Sequence, residues 1–327
     1  MMQMRYAFFC AFVVAALVFA SGCSRKATIF SHEPEPDITG SPSDPAVELK
    51  CELQPDHRYA FHLETDNSYT SSKWKFGMGS QETHFETDYR LMVTNETSKA
   101  HKQLDIEYLA LVLQVFSGDE SKLYFDSENR AVPMTGDFAE TMRSLIHGHF
   151  GAELARRGTL SKVYGLDELV AAATAKKNLR RVDGSVRRLA STQTVRQMVE
   201  FNKLPEKSVH VGDTWHQTND LSNGLQSDAT FTFRGWQWHD SRKCALIEFE
   251  GPITTQSAKN KSAVEDGKYY GRYWFDPELS LIVDSVVHEQ YTWNRAKGPD
   301  GEKLPMSQTV SVNLDSVSTL PKPVATN

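Results

Sequence analysis

Phe85-Glu86-Thr87-Asp88-Tyr89-Arg90-Leu91-Met92-Val93 decides the fold class. Phe85, Tyr89, Leu91 and Val93 fall on one parity, and Glu86, Asp88 and Arg90 on the other. Successive side chains of a strand point to opposite faces, so this alternation predicts a half-buried antiparallel strand. The same period runs from Val47 to about Asp126. Tyr59, Phe61 and Leu63 share a face, and Cys51 sits on the parity of Val47, Leu49 and Leu53. Leu104 to Phe116 begins by alternating and then turns apolar on both parities, with Leu109, Leu111, Leu113 and Val115 joining Tyr108 and Val112. The pattern predicts a strand that starts one-sided and ends buried on both faces, as in a sheet that curls around something.

Working outward, the period changes in the middle of the chain. Phe138, Met142, Leu145 and Ile146 form a helical stripe over Asp137 to His147. His149 to Leu154 and Thr159 to Tyr164 read as a hairpin around Arg156-Arg157-Gly158. Asp167 to Lys176 is Ala-rich and helical, and Ser185 offers an N-cap for a helix running to about Phe201. Pro205 closes the block. From Val209 the period of two returns. Phe231 and Phe233 share one parity and Trp236 and Trp238 the other, so Gly235 between them predicts a β-bulge. Leu281, Val283, Val287, Tyr291 and Trp293 line one face of a long strand, and Met306, Val310, Val312 and Leu314 complete a last one. Strands, helices, then strands spell an α+β fold: a mostly antiparallel, curved sheet, half-barrel or sandwich-like, with a central helical segment at about 137–203.

The N-terminus says where the chain goes. Arg5 precedes an unbroken apolar run from Tyr6 to Ala20, too short to span a bilayer with ease and built like a secretory signal. Ala20-Ser21-Gly22-Cys23 ends it and resembles a bacterial lipobox, although Ala20 stands where such motifs usually carry Leu. The resemblance implies cleavage after residue 22 and acylation of Cys23. Ser24, rather than Asp, then implies the outer membrane, facing the periplasm, if the envelope is Gram-negative. An ordinary signal peptide with Cys23 incidental is the alternative. Ser24 to Pro45, with Pro34, Pro36 and Pro42, reads as a flexible tether. The domain reading is a signal at 1–22, a lipidated tether at 23–46, a single body at 47–320 and a tail at 321–327.

Of four cysteines, Cys10 leaves with the signal and Cys23 carries lipid. Cys51 and Cys244 remain, able to bridge in an oxidising compartment or to stay as buried thiols. A content of 39% hydrophobic and 24% charged residues suits a folded body, and a net charge of −6 gives no general affinity for nucleic acid.

Phe201-Asn202-Lys203-Leu204-Pro205-Glu206-Lys207-Ser208-Val209-His210-Val211-Gly212-Asp213-Thr214-Trp215 resembles a recurring junction in a family of exported bacterial proteins known only as domain of unknown function 6263. An exported N-terminus, a β-rich first half, a hairpin followed by Gly165-Leu166-Asp167-Glu168 and a closing set of strands extend the likeness over roughly residues 47 to 318. The resemblance implies no catalytic residue. Read from the residues, Gly212-Asp213 is a turn and Trp215 an anchor at a strand start.

Chemical motifs are scarce. The chain has no nucleophile elbow, no His-Glu-x-x-His, no Walker or dinucleotide loop and no zinc-spaced cysteines. Nothing calls for a cofactor. His147-Gly148-His149 is the only close histidine pair, a metal pair if a carboxylate joins it and otherwise two surface residues. Lys176, Lys177, Arg180, Arg181, Arg187 and Arg188 form a basic cluster. It reads either as a solvated face or as a contact for anionic lipid or an acidic envelope polymer. Trp215, Trp236, Trp238, Trp274 and Trp293 fill a core or line a pocket. The leading expectation is a non-catalytic, membrane-anchored envelope lipoprotein that binds a hydrophobic or envelope ligand or serves as an assembly partner, with no protein partner specified. The alternative is a hydrolase of envelope material with a site of dispersed residues.

Overall fold

The computed structural model describes residues 37–74, 77–98, 101–118, 120–129, 136–155, 158–175, 186, 190–200, 204–221, 224–256, 264–295 and 302–320. The signal peptide, Cys23 and the tail lie outside them.

Strands β1 (His57–Trp74), β2 (Gly77–Ser98) and β3 (His101–Ser117) form a meander. The outer edge of β3 is shared: β4 (Glu120–Asp126) pairs with its second half and β5 (His149–Leu154) with its first. Strand β6 (Leu160–Tyr164) completes the expected hairpin with β5. After the helices, β7 (Thr214–Asp220), β8 (Leu225–His239), β9 (Arg242–Thr255), β10 (Val264–Asp276), β11 (Leu281–Arg295) and β12 (Glu302–Thr319) form a second meander. Antiparallel pairing of β12 with β1, from His57 opposite Thr319 to Tyr69 opposite Met306, fuses the two halves. The result is one sheet of 12 strands that does not close, with β6 and β7 as its free edges. The α+β, mostly antiparallel expectation holds, as a single open sheet rather than a sandwich.

Alternation explains the two faces. Phe61, Leu63, Tyr89, Leu91, Phe231 and Phe233 are buried on the concave side. Each such side chain contributes about 1.5–3 kcal/mol on leaving water. The helices cover that side: α1 (Asp137–Leu145), α2 (Leu166–Thr174) and α3 (Thr192–Val199). They present Ala139, Met142, Leu145, Val170, Val195, Met198 and Val199 to the core. Ser191 caps helix α3, its Oγ accepting the Thr194 amide at 3.2 Å; the cap expected at Ser185 lies outside the described residues.

Two further details differ from the sequence pattern. The mixed parity of β3 comes from a bulge. Ala110 pairs with Asp88 and Tyr108 with Tyr89, so Leu109 is the extra residue, and Tyr108 and Leu111 both face inwards. The end of β3 is half-buried, not covered on both faces. Residues 48–54 bury Leu49 and Leu53 without forming a strand; their amides and carbonyls find other partners, Glu52 N with Ser280 O and Lys102 Nζ with Leu53 O.

The stretch read as tether up to residue 46 is docked from Thr39 onward. Thr39 bridges Trp236 and Val47 bridges Val209. The strap crosses β8 where Gly235 makes the expected bulge, at φ +138°. Gly212, at φ +92°, makes the expected turn before β7. There the Asp213 carboxylate accepts the His210 amide at 2.8 Å.

Candidate ligand-binding cavity

Strand register builds one wall of a partly open cavity. Tyr273 lies opposite Ser285, Gly271 opposite Val287 and Tyr269 opposite Glu289. On the next strand Val312 lies opposite Ser285 and Val310 opposite Val287. Period-two alternation therefore turns Ser285, Val287 and Glu289 to the concave side together. Helix α3 builds the facing wall. Gln193, Arg196, Gln197 and Glu200 recur at helical spacing on the stripe opposite Val195 and Val199. Thr159 and Leu160 from the β6 edge and Thr218 to Leu221 from the β7 edge complete the lining. Its volume is about 390 Å³.

The two walls differ in chemistry. The sheet side is mostly aliphatic and aromatic, with Ile282, Val287, Val310 and Val312 beside Tyr269 and Tyr273, and with Ser285 and the buried Glu289 as polar members. An aromatic stack backs it: Phe249 lies 4.8 Å from Tyr273, 5.0 Å from Tyr269 and 5.0 Å from Phe231, ring centre to ring centre. Burial, with its neighbour Tyr269, holds the Tyr273 phenol well above its usual range, so it stays a neutral hydroxyl. The helix side is polar, and its charges are committed. Glu200 accepts Arg196 Nε at 3.1 Å and the Leu160 amide at 3.2 Å, which pins α3 to the β6 edge. Asp220 accepts Gln256 Nε2 at 2.9 Å. An amphiphile with an apolar chain and a hydrogen-bonding end matches such a cavity; its size falls in the range of small-ligand pockets.

Elsewhere, the predicted residues behave differently. His147 and His149 do acquire carboxylates. His147 Nδ1 lies 3.0 Å from Glu107, and His149 Nδ1 lies 2.9 Å from Asp105. Arg90 also pairs with Glu107, so that carboxylate is already neutralised and the group is an ion-pair network. Burial raises the Glu107 carboxyl, but hydrogen bonds from His147 and Arg90 outweigh it and leave the group below its usual range.

Cys51 and Cys244 are free thiols, so the bridge left open by the sequence is not formed. They stand on opposite faces. Cys51 packs against the main core, which also holds Ala245 and Ile247 of β9, while Cys244 joins Leu246, Trp274 and Val283 in a small cluster on the outer face. Burial pushes each thiol up to about 12.

None of the five tryptophans lines the cavity. Trp215 is half-buried and stacks on Phe231 at 5.7 Å, while Trp274 is buried on the outer face against His239 at 4.3 Å. Trp238 is 72% exposed. Lys176, Lys177, Arg180, Arg181, Arg187 and Arg188 lie outside the described residues, as does Cys23. The cavity-lining polar stripe of α3 was present in the sequence as an i, i+3, i+4, i+7 pattern, which also fits a solvated helix face.

A family of unknown function, DUF6263, has a model that matches residues 99–298. Among curated proteins none matches the sequence. Lipovitellin, in a solved structure concerned with lipid–protein interactions, superposes with a TM-score of 0.53 at 10% identity. That match covers 84% of this chain and 26% of lipovitellin, so the chain spans about a quarter of that protein. The likeness is one of fold. A Bacteroides fragilis protein described as exported, with a YmcC-like fold, gives a TM-score of 0.25 at 10% identity, covering 83% of this chain and 99% of that one. An outer membrane channel from Pseudomonas putida F1 gives 0.25 at 8%, with the same coverages.

Proposed function

The chain belongs to that family, and we propose that it is a membrane-anchored envelope lipoprotein whose concave sheet binds one amphipathic ligand. The cavity between β10–β12 and α3 carries the reading. It has a largely apolar wall, which includes the buried Glu289, and a polar wall on which the carboxylates of Glu200 and Asp220 are engaged with protein groups. That arrangement favours holding a ligand over attacking one. The apolar chain lies along Val287, Val310 and Val312, with the polar end towards Gln193 and Gln197. The fold shared with lipovitellin supports the shape of such a sheet; the ligand is inferred from the cavity.

Acylated Cys23 places the body at a membrane, the outer one in a Gram-negative cell, and the basic cluster from Lys176 to Arg188 meets anionic head groups or an acidic envelope polymer. Cys23→Ala abolishes palmitate labelling on this reading, and persistent labelling overturns the anchor. Reversing Arg180, Arg181, Arg187 and Arg188 weakens binding to anionic vesicles at low salt and matters less as salt screens exposed charges.

Native mass spectrometry of the full chain released from detergent tests the ligand. The expected spectrum carries one added amphiphile mass per chain, which Val287→Trp and, independently, Val310→Phe remove by filling the cavity. A parent chain without an adduct, or adducts equal in parent and both variants, overturns the proposal.

A further inference from the structure

A second constellation stands on the outer face of the sheet, away from the cavity. Strands β1 and β2 pair so that Asp66 lies opposite His84 and Glu64 opposite Glu86. The alternation that sends Phe85 and Thr87 into the core sends these four side chains outwards as a two-by-two patch. Donor atoms of Glu64, Asp66 and His84 all lie within 4.8 Å of one another. His84 Nδ1 is 2.8 Å from Asp66 and 3.7 Å from Glu64, and its Nε2 meets the Glu86 carboxylate.

The charge around the patch does not balance. The register sets Thr309 and Ser311 of β12 beside Asp66 and Glu64, and Gln114 and Val112 of β3 beside His84 and Glu86. None is cationic. Among the described residues, the ion pairs of these three carboxylates run only to His84. The His147–Glu107 group is the contrast: there Arg90 supplies the missing positive charge. The backbone is also fixed, since β1 and β2 are interior strands hydrogen-bonded on both sides. Their side chains are thus held near binding geometry by the sheet itself.

We infer that Glu64, Asp66 and His84 bind a divalent transition-metal ion on the outer face, with Glu86 orienting the imidazole. One nitrogen and two carboxylate oxygens form a mixed donor set suited to Zn²⁺ or Mn²⁺. A histidine that offers one ring nitrogen to a metal commonly gives its other N–H to a carboxylate, which fixes the tautomer. Glu86 occupies that position on Nε2, leaving Nδ1 facing the two oxygen donors.

Calorimetric titration of the full chain with ZnCl₂ and MnCl₂ tests the site. One equivalent of at least one ion binds the parent. Asp66→Asn and His84→Gln abolish that binding, and Glu86→Gln weakens it about tenfold or more, as loss of an orienting partner does. His149→Gln, in the neutralised network, leaves it unchanged. A readout on the unaltered chain is Mn²⁺ broadening of amide NMR signals, expected to be strongest at Thr309, Ser311 and Gln114 and absent from strand β7, six strands away from β1 in the sheet. No binding of either ion, binding that survives Asp66→Asn and His84→Gln, or broadening centred elsewhere overturns the site.

Discussion

The Tyr89 hydroxyl donates a 2.8 Å hydrogen bond to the Met198 carbonyl, tying the centre of the sheet to the last turn of α3. A helix leaves its final carbonyls without intrahelical donors, and this one is satisfied from the core. Tyr89 is fully buried and stacks on Phe61 at 5.5 Å, so its ring cannot swing to another partner without disrupting the core. Tyr89→Phe keeps the packing and removes the donor. The expected loss is about 1–3 kcal/mol, the cost of a buried polar group left unmade. Because α3 is a cavity wall, the amphiphile adduct weakens in the same variant. Urea unfolding with an unchanged midpoint would show that the bond contributes nothing.

Glu107 predicts how stability depends on acid. Burial raises its pKa, and His147 and Arg90 more than offset this, so the folded value lies below the ordinary 4.5. A carboxyl depressed on folding stabilises the native state fully above its unfolded value and loses that contribution as pH falls through the folded one. The unfolding midpoint of the parent should therefore drop more steeply below about 4.5 than that of Glu107→Gln. Midpoints measured at neutral pH, near 4.5 and below it decide the matter; parallel acid limbs would remove Glu107 from the account.

The fold was legible where alternation alone sets the face, as in Phe85 to Val93; in β11 a bulge between Ile282 and Asp284 puts Val283 on the outer face, away from Leu281 and Val287, which their shared parity hides. It was legible at Gly235 because glycine at a parity switch marks a bulge. The bulge at Leu109 carries no such mark: a leucine there reads as another apolar strand residue, and the shift was mistaken for burial on both faces. Leu49 and Leu53 show the converse error, since their spacing reports burial, not pairing, and the stretch is irregular. The cavity needs α3 placed against strands about ninety residues further on, which no local pattern encodes. The outer patch depends on Asp66 standing opposite His84, a register known only once β1 and β2 are paired.

Cys51 and Cys244 should be chemically silent in the native state. Burial pushes both thiols to about 12, and only the thiolate is an effective nucleophile. At pH 8 iodoacetamide should leave both unmodified until the chain is unfolded, when both react. The intact mass should be the same with and without reductant, apart from the anchor. Rapid native alkylation, or a mass lower by two hydrogens without reductant, would contradict two separated thiols, one half-buried and one buried, whose pKa values are both raised.

Gly235 predicts how the strap is held. Its φ of +138° lies outside the range that side chains tolerate. A Cβ there would stand 2.6 Å from the Thr39 carbonyl oxygen and 2.6 Å from Ile38 Cγ2. Neither neighbour can yield freely, because the Thr39 carbonyl accepts the Trp236 amide and the Thr39 amide donates back, both at 2.8 Å. Gly235→Ala should therefore cost about 1–3 kcal/mol for the strained backbone. It should also break the paired bonds between strap and β8. Limited proteolysis separates the two effects: cleavage between Thr39 and Val47 should accelerate far more than cleavage in the sheet. A second variant, Thr39→Pro, removes the amide donor without touching β8 and should expose the same peptide. If both variants keep the parent's cleavage rate in this stretch, the strap is held by Val47, Leu49 and Leu53 alone and its crossing of β8 is incidental.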